Sequence, residues 1–461
     1  MRVTLLGHAS VLIELSGRAV LVNPVFQDPF GEGMLVACPA RQLATNRLPK
    51  IDLVVLSDAQ PEHFDIATLA RLPRDCTVVC PKDTRILYIL GQLGFTRVKP
   101  TDASAVVKFG DQFEVVTTPS IRKVPEFGVV LKDKTGVFWD PVGTQFSPPI
   151  VEQVRRQVGP VHLLLAGYAF PDFNYFGSMR GGFPGPFLRN AVACAQRVAP
   201  ALVVPGSAGF RFTEPFAWTN AFLFPISQGR FLADLARAAP NLRSAPGKPG
   251  DVFEISNGVV ERRAGASPIA TMSEDDTHRI EFDLAAPVPT LTDPNCDGYS
   301  ADVLDRQVRA TFEELATFVR AAYTTDPVIE EHRRVDGSYG LGVVSPDGSE
   351  RWLRVQFGAA KPTIEEGRGS VGGALNTTRI AASVLTARAR YERGYPYPGG
   401  LTRMTAIAPA RLVDGKVAVE PREPPELLMH YIRLKPPGWA VHSKKILDFR
   451  VAPFLSRGRA R

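Results

Sequence analysis

The chain has 461 residues, 44% of them hydrophobic and 22% charged, with a net charge of +7. That is the composition of a globular protein of two or three domains. With no apolar run of about 18 residues it excludes a transmembrane helix. The charge is dispersed apart from Arg457, Arg459 and Arg461 at the end of the chain, and no basic stripe is interleaved with aromatics. No nucleic-acid partner is therefore expected, and the mildly positive balance suits an anionic small molecule. The first residues read as a strand rather than a signal peptide, so the expected location is cytoplasmic, without membrane insertion.

In chain order, residues 3–6, 11–15 and 19–22 read as strands, with Ser16-Gly17-Arg18 turning between the last two. Residues 51–56 are almost purely Val, Leu and Ile, the pattern of a strand buried on both faces. A short helix is expected over 67–72, and strands over 113–118, 128–131 and 137–139. Residues 132–136 form the hairpin turn between the last two. Helical patterns at 149–157 and 186–198 each lead into a buried strand, at 163–165 and 202–204. Strand pairs interleaved with helices predict an α/β fold, an αββα sandwich with its chemistry on loops at one sheet edge.

Small residues and prolines between 263 and 300 mark a linker, giving domains 1–262 and 301–461. The second segment reads as an additional C-terminal α+β module. Leu304, Val308, Phe312, Leu315 and Val319 form a helical stripe. Residues 339–344 and 352–357 form a hairpin around Pro346-Asp347-Gly348. A further helix is expected over 379–391 and a rigid loop over 394–400. The five cysteines, Cys38, Cys76, Cys80, Cys194 and Cys296, are scattered. That argues against a disulfide framework or a Cys-rich zinc site, and Cys76 and Cys80 are expected to be buried apolar side chains.

The chemistry is concentrated in Ser57-Asp58-Ala59-Gln60-Pro61-Glu62-His63-Phe64-Asp65, which follows the buried strand. Gly7-His8-Ala9-Ser10, Leu21-Val22-Asn23-Pro24, Trp139-Asp140 and Pro205-Gly206-Ser207-Ala208-Gly209-Phe210 stand at other strand ends. Together, in this order and spacing, they resemble the metallo-β-lactamase superfamily over residues 1 to about 260. The nearest resemblance is to its lactonase and phospholipase-D-like branch. That family writes the loop Ser-His-x-His-x-Asp-His. Its first metal is held by the two leading His and a third His, positions occupied here by Asp58, Gln60 and the stretch Pro119-Ser120-Ile121. The supporting family Asp is here Asn23. The second site maps onto Glu62, His63, Asp140 and Ser207.

The resemblance thus implies a metal site of His63, Glu62, Asp140 and Asp58. Such a set is harder and richer in oxygen than the imidazole-rich sites that suit zinc. Iron, as one or two ions, is the expected cofactor, with zinc or manganese the alternatives. Gln60, Tyr168, Asp172 and Tyr175 are expected to bind substrate. His8 is expected to be a core histidine.

Residues 161–168, together with Glu62-His63 and Thr68-Leu69, are also similar to the lactamase-like part of the sialic acid (CMP-N-acetylneuraminate) hydroxylase family. The Cys/His pairs of that family's Rieske centre are absent from this sequence. Three functions stay open. The first is a non-haem iron monooxygenase acting on a small organic molecule, as in natural-product metabolism, served by an electron-donor protein. The second is a single-metal hydrolase. The third is a metal-free pseudoenzyme or binding protein.

Overall fold

A computed structural model describes residues 1–144, 147–168, 183–206, 209–393, 401–406, 410–413, 416–419, 425–435 and 438–451. The chain divides into two compact units, one comprising residues 1–172, 182–285 and 443–461, the other 173–181 and 286–442.

The first unit holds β1 (Arg2–Gly7), β2 (Ser10–Leu15), β3 (Arg18–Val22), β4 (Leu35–Ala37), β5 (Ala40–Leu43), β6 (Leu53–Val55), β7 (Thr77–Pro81), β8 (Val98–Thr101) and β9 (Val106–Phe109). It continues with β10 (Phe113–Thr118), β11 (Gly128–Asp133), β12 (Gly136–Asp140), β13 (Leu163–Gly167), β14 (Leu202–Gly206), β15 (Phe210–Phe212), β16 (Val252–Ser256), β17 (Val259–Arg263) and β18 (Ala270–Glu274). One sheet has the order β17-β16-β1-β2-β3-β6-β7-β8, the other β14-β13-β12-β11-β10-β9.

The two-residue period of a strand explains how the sheets stack. Val20, Val22, Leu53, Val55 and Val79 face a core shared with Val115, Val129, Leu131, Phe138 and Leu163 of the other sheet. Their neighbours Ala19, Leu21, Val54, Leu56, Val78 and Cys80 face a second core on the opposite side. β6 is therefore apolar throughout, as the sequence of residues 51–56 predicts, and β3 and β7 are apolar beyond their first residues, Arg18 and Thr77.

Helix Thr84–Leu93 covers the outer face with Ile86, Ile89, Leu90 and Leu93, a spacing that makes one apolar stripe. The Asp83 carboxylate accepts hydrogen bonds from the backbone N–H groups of Arg85 and Ile86, and Gly94 ends the helix with φ +82°. On the outside of the other sheet, helix Pro148–Val158 buries Val151, Val154 and Val158, and helix Gly185–Val198 buries Leu188, Ala191, Val192 and Ala195. The architecture is αββα, as expected. Cys76 and Cys80 are buried and unbridged.

Two boundaries differ from the sequence reading. Within the segment read as a linker, β18 pairs antiparallel with β5, and Ile269 and Ala270 belong to the outer core. Sparse apolar residues conceal this strand because it is buried at only one end. The helix expected over 379–391 begins later. Asn376–Ala381 is a strand and only Ala382–Ala389 is helical. Thr377, Thr378 and Ile380 are β-branched and suit a strand.

The second unit contains helix Ala301–Ala321, helix Pro327–Arg334, β19 (Ser338–Val344), β20 (Glu350–Phe357), β21 (Pro362–Arg368), β22 (Asn376–Ala381) and β23 (Thr402–Ala406). These strands form a sheet in the order β21-β20-β19-β22-β23. The helix buries Leu304, Val308, Phe312, Leu315 and Val319, the stripe read from the sequence. Ser345–Ser349 closes the β19–β20 hairpin, with the Gly348 N–H donating to the Ser345 carbonyl.

Candidate functional site

Four loops converge because the strands carrying them end at the same edge. β1 ends at Gly7, β3 at Val22, β6 at Val55 and β12 at Asp140. The carboxyl ends of parallel strands such as β3 and β6 are a common location for ligand sites in α/β sheets.

The loop after β6 is built on a chain of buried hydrogen bonds. The Asn23 amide donates to Ser57 Oγ at 3.0 Å and accepts from the Ser57 N–H at 2.9 Å. Ser57 Oγ then donates to Asp58 Oδ2 at 2.8 Å. Asp58 Oδ1 accepts from the Gln60 N–H at 2.8 Å, and Asp58 Oδ2 lies 2.7 Å from His63 Nδ1. The Gln60 carbonyl accepts from the His63 and Phe64 N–H groups, which coils the chain so that His63 turns back onto Asp58. Asp65 then caps helix Ile66–Leu69 through the Thr68 N–H. Asn23 holds φ +45°, a left-handed conformation that asparagine tolerates better than most residues.

Around this loop stand the other candidates. Glu62 and Asp140 are buried. Asp140 Oδ1 accepts from the Val142 N–H at 2.8 Å, while its Oδ2 is buried without a hydrogen-bond partner among the described residues. The loop beyond β12 packs against His63 so closely that a Cβ on Gly143 would stand 3.1 Å from His63 Cε1. The His8 and His63 rings stack with centroids 5.7 Å apart and planes 10° apart. Phe210 meets His8 edge-on at 5.1 Å. Both ring nitrogens of His8 are buried without a hydrogen-bond partner among the described residues.

Charge follows from this geometry. Burial alone would lower the His63 pKa, but the Asp58 charge and hydrogen bond, with Glu62 and Asp140 nearby, push it up to about 9. Burial works against the Asp58 carboxylate, yet the His63 charge and the hydrogen bonds from His63, Gln60 and Ser57 hold it below its usual value. Burial raises Glu62, and raises Asp140 to about 7. Burial, the His63 charge and Arg41 lower His8, which is therefore neutral. Arg85 and Arg122 add positive charge within electrostatic reach of Asp58 and Glu62. Arg122 is itself held by Glu126.

The structure thus brings Asp58, Glu62, His63 and Asp140 into one region, and Gln60 joins it through its backbone. Tyr168 is buried against Phe231, ring centroids 5.4 Å apart. Asp172, Tyr175 and Ser207 lie outside the described residues. His8, read as a core histidine, has both ring nitrogens buried and stacks on His63. Its place in Gly7-His8-Ala9-Ser10 and its φ of +48° mark it as unusual. Arg85 and Arg122 carried no local signal, since their helix and loop meet the site only in the fold.

Among the described residues, no three His, Cys, Asp or Glu side chains are placed to share an ion. The reason is visible in Asp58, whose oxygens already accept from Ser57, Gln60 and His63. The donors as positioned do not fit the family's centre.

Two stacked sheets flanked by helices, with an acid- and imidazole-bearing loop at the strand ends, define a metallo-β-lactamase-fold domain. Residues 18–206 match the family described as Beta-lactamase superfamily domain, and the first unit is a domain of that superfamily. Among solved structures, CmlA, a diiron β-hydroxylase from Streptomyces venezuelae, is similar at 19% identity and a TM-score of 0.35, over 45% of this chain and 44% of that one. A CmlA β-hydroxylase mutant aligns over 54% of this chain and 52% of its own, so the chain spans about half the length of these proteins. An isothiocyanate hydrolase from Delia radicum gut bacteria is 13% identical with a TM-score of 0.43, over 56% of this chain and 100% of that one. The metallo-β-lactamase-fold protein YhfI from Bacillus subtilis is 12% identical with a TM-score of 0.37, over 57% and 98%. Among the described residues no helix is long and apolar enough to cross a membrane.

Proposed function

We propose that the first unit is a metal-free binding domain that keeps the metallo-β-lactamase fold and has exchanged the first metal for an internal ion pair. One observation carries this reading: the Asp58 carboxylate is engaged by Ser57 Oγ, the Gln60 N–H and His63 Nδ1, two of them on Oδ2. Oδ2 is occupied by two of these partners, so it could turn to an ion only by breaking a buried hydrogen bond and leaving a polar group unpaired; Oδ1 keeps one lone pair. The His63 imidazolium supplies, among buried carboxyl groups, the positive charge that an ion would otherwise supply. The ligand of such a domain is a small organic molecule.

A second reading has its own support. Among the described residues, Asp140 Oδ2 and both ring nitrogens of His8 are buried without hydrogen-bond partners, and orphaned polar atoms of this kind are expected where an ion is missing. On this reading Glu62, His63, Asp140 and Asp58 would rearrange to hold iron. The protein would then be a monooxygenase of small organic molecules served by an electron-donor protein. A hydrolase holding a single zinc is the third.

Elemental analysis of the purified full-length chain separates the three. The metal-free reading expects less than about a tenth of an equivalent of iron, zinc or manganese after growth in metal-supplemented medium. Iron at one or two equivalents, lost in Glu62→Ala and His63→Ala variants, would overturn it in favour of the oxygenase, and one equivalent of zinc in favour of the hydrolase.

A further inference from the structure

The second unit contains a cavity of about 780 Å³ beside its edge strand, bounded by the first half of helix Ala301–Ala321, the Ser345–Ser349 turn and the end of β21. That volume lies in the range of small-molecule sites. Strand register sets its lining. Val343, Arg351 and Arg368 are direct cross-strand neighbours in β19, β20 and β21. Neighbours in one row project from the same face of a sheet. Here they share the cavity with Leu304 and Val308 of the helix. Leu304, Val308 and Val343 are buried and form an apolar floor, while Arg351 is half-buried and Arg368 exposed.

The lining carries Asp305, Asp347 and Glu350 against Arg351 and Arg368, and Arg309 and Arg379 just outside it bring the count to four arginines against three carboxylates. Asp305 is shared between Arg351, at 2.7 Å, and Arg309, at 2.8 Å. Glu350 is held by the Arg379 guanidinium through two contacts, at 3.1 and 2.7 Å. Asp347 accepts from the N–H and hydroxyl of Ser349 within its own turn. Every carboxylate lining the cavity is thus engaged, and one of them serves two arginines. Among the described residues no carboxylate pairs with Arg368. An arginine row above an apolar floor matches an anionic head with a hydrocarbon body, and guanidinium binds carboxylate and phosphate oxygens in a two-pronged geometry.

We propose that this cavity binds a small amphipathic organic anion, its carboxylate or phosphate head on Arg351 and Arg368 and its apolar body on Leu304, Val308 and Val343. The site lies wholly within the second unit and does not depend on whether the first unit holds metal.

The test is calorimetric titration of the full-length chain with octanoate, octyl phosphate and neutral 1-octanol. At least one of the two anions binds, and whichever binds tighter identifies the preferred head. Octanol binds at least tenfold more weakly. Arg368→Gln weakens the anion at least tenfold while Arg368→Lys retains part of the affinity. Arg368 is exposed at the end of an edge strand, so unchanged thermal unfolding of both variants shows that the fold is intact. The proposal is overturned if neither anion binds at millimolar concentration, if octanol binds as well as the anions, or if Arg368→Gln leaves affinity unchanged.

Discussion

Asp58 and His63, five residues apart in one loop, meet at 2.7 Å between Oδ2 and Nδ1, both side chains almost wholly out of solvent. The pair occupies the loop in which the superfamily gathers its metal ligands. It converts a set of donors into a self-contained unit, and most of what the site will do under perturbation follows from it.

Asp58→Asn is expected to destabilise the first unit by about 3–5 kcal/mol, the usual result of stripping one partner from a buried ion pair. The His63 imidazole loses the charge that raises it, so its titration moves down from about 9. Chemical-shift titration of the ring, with chemical unfolding on the same samples, checks both effects. A His63 titration unchanged in the variant would mean that the pair does not exist in solution.

Alkaline pH should loosen the first unit. His63 titrates at about 9 in the fold and near 6.5 when unfolded, so the folded state binds the proton more tightly. Its contribution is complete below pH 6.5 and disappears as pH rises through 9. The shift corresponds to about 3 kcal/mol. Unfolding midpoints measured from pH 6 to 10 should fall in the parent and stay flatter in His63→Gln. Equal slopes in the two would remove His63 as the cause.

Gly143 allows the β12 loop to lie on His63. In Gly143→Ala the new methyl would stand 3.1 Å from His63 Cε1, tight enough to displace the ring or the loop. A loss of about 1–3 kcal/mol is expected, together with a perturbed His63 resonance. An alanine variant identical to the parent in both measurements would show that the loop does not press on the ring.

Acid should also weaken the second unit. His332 is buried, stacks on Phe357 at a centroid distance of 4.6 Å, and donates Nε2–H to the Pro425 carbonyl at 3.1 Å. Burial lowers its pKa to about 4. The unfolded chain takes up the proton near 6.5, so stability is lost as pH falls from 6.5 through 4, by about 3 kcal/mol in all. Hydrogen-exchange protection of β19 and β20 should fall in that window and hold in His332→Leu. Protection independent of pH between 4 and 6.5 would contradict this account.

Metal removal should matter little. A ligand that binds only the folded state raises its stability with the logarithm of its concentration over Kd. If the first unit holds no ion, a chelator or added Fe(II) or Zn(II) shifts its unfolding temperature by less than about 1 °C. A shift of several degrees in either direction would show that an ion is bound.

Much of the first unit can be read from its sequence because period and composition are local quantities. The Val/Leu/Ile run before Ser57 could only be a strand covered on both faces, and β6 is that strand. The stripe from Leu304 to Val319 and the Asp347-Gly348 turn gave the helix and hairpin of the second unit in the same way. Strand β18 escaped because only its first residue is buried, so no alternation marks it.

Residue type also determined which groups the loop presents: Asp, Glu and His where the superfamily concentrates imidazoles. It could not determine what those groups would do to one another. Whether Asp58 faces an ion or the ring five residues on depends on how the Gln60 carbonyl coils the chain. Whether His8 is inert core or lies on His63 depends on where β1 ends relative to β6. The pairing of Arg351 with Arg368 likewise exists only through strand register. These are relations between positions distant in sequence, set by sheet packing, and a side chain's proton affinity and hydrogen-bond partners come from its neighbours in space.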